Sequence, residues 1–258
     1  MSLVENLFER ALTALGESVR AMPRTSGDGL YQRQVTTGTT VIAMRFGLKV
    51  PETELNPEGK EDAMITLPAV VIASDGRTSA GHHIVEEEAK KMRMIDSTLV
   101  LGGAGLASAL DRMGKIYSLS VAHYDDMADT PDQKLSLRGK VTMLQNMMRQ
   151  VPFLPIYFLL AGYEGQDNED KGRCRIFEFY PGGYIHDVGD CGGTGSGYSA
   201  IEALLAVEAG RDYTLKELYQ RLARLFHMAF RFDSGSGGTC HAYIMSSLGP
   251  QEVSFHVS

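Results

Sequence analysis

Segments with helical periodicity come in pairs along this chain, and strand-like runs fill the spaces between the pairs. The first pair is "LASALDRMGKIYSLSVAHYDDM" and "DQKLSLRGKVTMLQNMMRQV"; the second is "SGYSAIEALLAVEAG", ended by Gly210, and "TLKELYQRLARLFHMAF". Around them lie "TTVIAMRF" (Thr39 to Phe46), "AVVIASD" (Ala69 to Asp75), "STLVLGGAG", "PIYFLLAGY", "CRIFEFYPGGYIHDVG", "HAYIMSS" and "EVSFHV". A parallel sheet needs a crossover, usually a helix, between successive strands. Helices in blocks, with turns such as "YPGG" joining neighbouring strands, predict an α+β fold instead. Antiparallel sheets are expected to carry helix layers on their faces.

Two further stretches complete the organisation. Residues 3–22 show apolar positions at spacings of three and four (Leu3, Val4, Leu7, Ala11, Leu15, Val19) and read as an amphipathic helix. The polar, Gly- and Pro-containing "MPRTSGDGLYQRQ" then reads as a linker. Gly47 to Pro68 holds three prolines and many charges and is expected to be a long loop. If the strands on either side of it pair, that loop is an insertion in a hairpin, either a tolerated excursion or a contact surface. At 258 residues, with 43% apolar and 22% charged residues, the chain has ample material for a core.

Bulk charge narrows the function. A net charge of −7 argues against a nucleic-acid partner. No apolar run approaches membrane-spanning length, and "MSLVENLFERAL" has acidic residues where a secretion signal needs basic ones. The three cysteines, Cys174, Cys191 and Cys240, lack metal-type spacing and read as reduced thiols of a cytoplasmic protein, with no metal and no cofactor.

The threonine-rich stretch "QVTTGTTVIAMRF" carries the sharpest chemical hint. A hydroxyl nucleophile needs a base. The seven histidines are poor partners: His82 and His83 are adjacent, His227 sits inside a helix, and the rest are scattered. No G-x-S-x-G elbow is present. A threonine freed at a chain terminus carries its own base, because its α-amine has a pKa of roughly 7.7–8.0, near the value that general-base catalysis prefers. Such a threonine must be made terminal by cleavage, which gives the preceding segment a purpose.

"GTTVIAMRF", "VVIASDGRTSAG", "EEEAKKMRMID", "GTGSGYS" and "DSGSGG" occur in an order that resembles proteasome β subunits, the N-terminal-nucleophile (Ntn) threonine peptidases. "DGR" at Asp75-Gly76-Arg77 leans toward the related bacterial HslV-type peptidase, whereas "DSGSGG" favours the proteasome side. The resemblance spans nearly all of residues 39–258 and implies a four-layer αββα sandwich. It marks residues 1–38 as a propeptide and 39–258 as the peptidase domain, with Gly38–Thr39 the self-cleaved bond. Thr39 is similar to the family's nucleophile, with Thr36, Thr37 and Thr40 as competitors. Asp75 resembles the buried aspartate and Lys91 the catalytic lysine, with Lys90 as rival. Ser196, Asp233 and Ser236 resemble the groups around the freed amine. Gly102 looks like the oxyanion N–H donor, with Gly103 as the alternative. Thr78, Ala89, Arg93, Val100 and Ala104 are expected to line the specificity pocket, if the alignment holds through a gap near Thr98. That wall implies cleavage after apolar residues, unless Arg93 admits acidic ones.

The resemblance implies a self-processing endopeptidase acting on unfolded polypeptide inside a homo-oligomeric ring, with two stacked heptamers the expected assembly. An α-subunit ring and an ATPase unfoldase are its candidate partners. Two other functions remain open: an unprocessed, inactive ring subunit, and an Ntn amidohydrolase of small molecules.

Overall fold

The computed structural model describes residues 38–56, 63–80, 83–130, 133–164 and 173–257. The expected helix over 3–22, the linker, Thr36 and Thr37 lie outside these residues. Strands β1 (Val41–Pro51) and β2 (Met64–Ser74) form the central hairpin of the first sheet. They alternate strictly. Ile42, Met44, Phe46, Leu48 and Val50 turn one way with Leu67, Ala69, Val71 and Ala73, while Val41, Ala43, Val70 and Ile72 turn the other. A strand buried on both faces needs apolar residues at both parities, and these strands have them.

The sheet runs β10 (Cys191–Thr194), β1, β2, β12 (Cys240–Ser246), β13 (Gly249–Phe255). The short β11 (Asp212–Tyr213) pairs with β1 further along. A second sheet is an antiparallel meander of β5 (Met92–Asp96), β6 (Leu99–Gly105), β7 (Ile156–Glu164), β8 (Arg173–Tyr180) and β9 (Tyr184–Val188). A small hairpin, β3 (Thr78–Ala80) with β4 (His83–Glu86), leads from the first sheet to the second.

Helices cover both outer faces. The first pair, α1 (Ala107–Asp126) and α2 (Leu137–Gln150), packs Met113, Tyr117, Leu144 and Met147 against Leu99, Leu101 and Phe158. The second pair, α3 (Tyr198–Glu208) and α4 (Leu215–Phe232), packs Ile201, Leu205, Leu222 and Phe226 on the first sheet. Thr214 and Glu217 form a reciprocal capping box at the start of α4. Between the sheets lie Val41, Ile72, Val100, Leu159, Ile176 and Tyr243. The result is the four-layer αββα sandwich. No helix among the described residues is long and apolar enough to cross a membrane.

The loop expected over Gly47 to Pro68 is corrected. β1 runs on to Pro51 and β2 begins at Met64, pairing Gly47 with Pro68, Leu48 with Leu67 and Val50 with Ile65, so the strands take up both ends of the expected loop. Pro68 is harmless because of its parity. The Gly47 N–H points the other way, to Arg211 O (2.9 Å), so Pro68 faces away from β1. On that side β12 pairs with β2 only from Val70 onward, so no neighbour needs a proline N–H.

Phe226 is fully buried and meets the rings of Phe230 and Phe255 at 6.1 Å each. Phe226→Ala should destabilise the chain by about 3–5 kcal/mol, read as a lower urea midpoint at unchanged slope.

Candidate active site

The open end of the β1–β2 hairpin builds one half of the site. Thr39 and Thr40 precede β1, and Asp75 follows β2, so pairing of Val41 with Ser74 brings them together. All three are buried. Asp75 Oδ1 accepts the Thr40 N–H (2.8 Å) and a bond from Lys91 Nζ (2.7 Å); Oδ2 accepts the Gly237 N–H (3.0 Å). The same Lys91 ammonium donates to Thr39 Oγ1 at 3.1 Å. Thr39 Oγ1 in turn donates to the carbonyl oxygen of Gly38 (2.7 Å). The nucleophile candidate is thus held between a cation and the carbonyl of its own preceding residue.

Two turns build the other half. Ser196 follows β10, and its Oγ accepts the Thr39 N–H (3.3 Å) and donates to Asp233 Oδ2 (2.6 Å). Asp233 caps the end of α4 and also accepts from Ser236 Oγ (2.7 Å) and the Gly235 N–H (3.0 Å). Since Ser236 spends its proton there, the 2.8 Å contact between Thr40 Oγ1 and Ser236 Oγ has Thr40 donating. All six expected residues, Thr39, Asp75, Lys91, Ser196, Asp233 and Ser236, therefore lie in one hydrogen-bonded set. The rivals are separated from it or occupied: Thr40's hydroxyl is spent on Ser236, and Lys90 is 65% exposed and pairs with Glu252 (3.0 Å).

Arg77 supports this half and was not singled out in the sequence. Its guanidinium donates to the carbonyls of Ser234 (3.0 Å) and Ser236 (3.3 Å) and pairs with Glu87 (3.1 Å). Its place two residues after Asp75 was the available signal.

Burial works against both buried charges. It pulls the Lys91 ammonium below the usual lysine range, opposed by the nearby Asp75 carboxylate. It raises the Asp75 carboxyl, opposed by Lys91 and by the two backbone amides. Burial also pushes the neighbouring Cys240 thiol up, so it is not a competing thiolate.

Gly195 closes the site. It has φ +99°, and a Cβ there would lie 2.1 Å from the Thr39 carbonyl oxygen. On the peptidase reading that the sequence resemblance implies, Gly195→Ala should lower peptide hydrolysis by at least about tenfold while costing about 1–3 kcal/mol of stability. Steady-state kinetics beside a thermal melt would check this.

A cavity of about 300 Å³ opens beside Lys91, lined by Thr78, Ala89, Arg93, Leu101, Gly103 and Leu110 among others. Thr78, Ala89 and Arg93 stand where expected, with Gly102 also on the wall. Val100 and Ala104 do not. Val100 is fully buried between the sheets, and Ala104 shares its parity. The expected wall is out by one residue along β6, which turns every side chain to the other face. The β5–β6 pairing that precedes this stretch carries a register irregularity between Met94 and Asp96. The same parity bears on the backbone. The Gly103 N–H faces β5 and makes only a long bond to Lys91 O (3.3 Å), so alternation directs the Gly102 N–H into the ladder with β7. Gly103 is thus the member of the pair whose N–H faces β5, while both glycines line the cavity. Arg93 is paired with Asp111 (3.1 Å).

A four-layer sandwich with a threonine, a lysine and an aspartate at the open end of its central hairpin has the architecture of the Ntn hydrolases. The family model described as proteasome subunit matches residues 63–245. The chain belongs to the proteasome subunit family. Thr39 lies ahead of the matched span; Asp75, Lys91, Ser196, Asp233 and Ser236 lie within it. A proteasome subunit beta of Acidimicrobium ferrooxidans is 31% identical over 173 residues, 65% of this chain and 54% of the relative. One from Gordonia bronchialis is 25% identical, covering 80% of this chain and 74% of the relative. One from Methanosarcina mazei is 24% identical, covering 74% and 90%. The match thus spans about half the length of the Acidimicrobium relative.

Proposed function

We propose that this protein is a self-processing threonine endopeptidase of a proteasome-type ring, with Thr39 as nucleophile. One observation carries the reading: a single buried ammonium, Lys91 Nζ, bridges Thr39 Oγ1 and Asp75 Oδ1 at 3.1 and 2.7 Å. A cation at that distance stabilises developing negative charge on the hydroxyl oxygen.

Processing begins when Thr39 Oγ1 attacks the Gly38 carbonyl carbon. The Oγ–C bond forms, the Gly38–Thr39 C–N bond breaks, and the hydroxyl proton ends on the departing nitrogen. Water then hydrolyses the ester, leaving a carboxylate on Gly38 and a free amine on Thr39. In catalysis that amine takes the hydroxyl proton as Oγ1 attacks a substrate carbonyl, and later passes it to the leaving amine. Water, deprotonated by the amine, then releases the acyl group as a carboxylic acid and regenerates the Thr39 hydroxyl. Ser196 and Asp233 hold the amine, and the Gly103 N–H receives the oxyanion. The cavity beside Lys91 takes the side chain before the scissile bond. Asp111 neutralises Arg93, and Leu101, Leu110 and Phe158 complete the wall, so apolar side chains are preferred over acidic ones.

The substrate is unfolded polypeptide, and the enzyme works as a ring of copies. Stacked heptamers, an α-subunit ring and an ATPase unfoldase are its expected partners. Intact mass of the purified assembly tests the reading. Loss of residues 1–38 leaves 258 − 38 = 220 residues beginning at Thr39. A full-length mass in an assembled ring without peptidase activity would identify an inactive subunit instead.

A further inference from the structure

Glu178 is a buried carboxylate that the mechanism above does not use. It lies on β8 in the second sheet, 8% exposed, and shares its parity with Ile176, so it faces the space between the sheets. An ionised side chain in such a place must be compensated by hydrogen bonds. Its Oε1 accepts the Gly193 N–H at 3.0 Å, and its Oε2 accepts the Tyr180 hydroxyl at 2.8 Å.

Gly193 belongs to β10, in the other sheet. That strand has four residues and, among the described residues, only β1 as a ladder partner. The Arg45 N–H bonds Asp190 O, so β1 residues of odd number face β10, and Gly192 and Thr194 face back. The Gly193 N–H therefore points off the sheet edge, where Glu178 meets it. The seat is tight: a Cβ on Gly192 would lie 2.6 Å from Glu178 Oε1. Three residues after Gly193 comes Ser196, whose hydroxyl contacts the Thr39 nitrogen. A four-residue edge strand has little of its own to stop it fraying or slipping. The carboxylate from the opposite sheet supplies that restraint.

We infer that Glu178 is a positioning residue: it pins β10 in register so that Ser196 meets the Thr39 amine. This rests on the proposed peptidase reading. It makes Glu178 act on the rate of processing and hydrolysis, not on substrate binding.

Steady-state peptide hydrolysis by Glu178→Ala, Glu178→Gln and their Ser196→Ala combinations tests it. Glu178→Ala should lower kcat by at least about tenfold with KM within about twofold. Glu178→Gln should recover to within about threefold of wild type, because its amide oxygen still accepts the Gly193 N–H. In the Ser196→Ala background, Glu178→Ala should cost less than about threefold more, since the two act on one contact. Gly192→Ala, which crowds the same carboxylate, should reproduce the kcat loss if Glu178→Ala does not assemble. Unchanged kcat in Glu178→Ala would overturn the inference and leave the peptidase reading standing. Equal losses in both backgrounds would also overturn it, by reducing Glu178 to general support of the fold. A wild-type assembly that neither processes nor hydrolyses would remove both readings together.

Discussion

Thr39→Ala should be purified at full length and should hydrolyse no peptide above background, a loss of at least about 10⁴-fold. The expectation follows from what the hydroxyl touches. It is the atom that accepts the Lys91 ammonium (3.1 Å) and donates to the Gly38 carbonyl (2.7 Å). On the proposed reading, deleting it removes both the attacking group of processing and the acyl carrier of catalysis. Among the described residues the neighbouring hydroxyls are committed: Thr40's is spent on Ser236, and Ser236's on Asp233. The fold should survive, since Thr39 precedes β1 and only Oγ1 and its methyl are lost. Thr40→Ala is the matched control. It breaks a bond to Ser236 but leaves Thr39 with Lys91, so the shortened mass should still appear. Full activity in Thr39→Ala, or blocked processing in Thr40→Ala alone, would move the nucleophile by one residue.

How much of this was legible in the sequence depended on whether the partner was near in the chain or matched a known motif. Helix pairs and core strands were readable because their apolar spacing is local, as in Leu218, Leu222, Leu225 and Phe226 of α4. The six residues of the hydrogen-bonded set were picked out by motifs that sit at element boundaries: Thr39 precedes β1, Asp75 follows β2, Lys91 precedes β5, Ser196 follows β10 and Asp233 caps α4. Short strands escaped. β10 is half glycine, because its residues are shaped by close neighbours and not by strand propensity. The extension of β1 escaped because prolines and charges at Gly47 to Pro68 resemble a loop until ladder parity shows where each missing N–H points. The pocket wall escaped along β6, which follows a turn where Asp96 Oδ1 accepts both the N–H and the hydroxyl of Thr98 (2.7 Å each). A one-residue slip is invisible in composition and decisive in a strand. Arg77 and Glu178 bond backbone groups far along the chain, and no side-chain pattern announces such partners.

Lys91→Ala should block processing and, with the Thr39 amine never freed, leave no peptide hydrolysis above background, whereas Lys90→Ala should process normally. Lys90 is exposed and bound to Glu252, while Lys91 alone connects Thr39 with Asp75. The loss has a second signature that separates it from simple misfolding. Removing the ammonium takes away the counter-charge of Asp75, whose carboxyl burial already raises above its ordinary 3.8. Its pKa in the folded variant must climb further, while the unfolded value stays put. A group whose folded pKa is raised stabilises the fold below its unfolded pKa, and that contribution fades as pH rises through the folded value. The variant should therefore melt at a temperature closest to wild type in mildly acidic buffer, and fall increasingly below it toward pH 8. Melting curves from pH 5 to 8, beside intact masses, would read both effects. A pH-independent difference in melting would mean that Asp75 is already neutral beside Lys91, and the lysine would then have to act on Thr39 without an ionised partner.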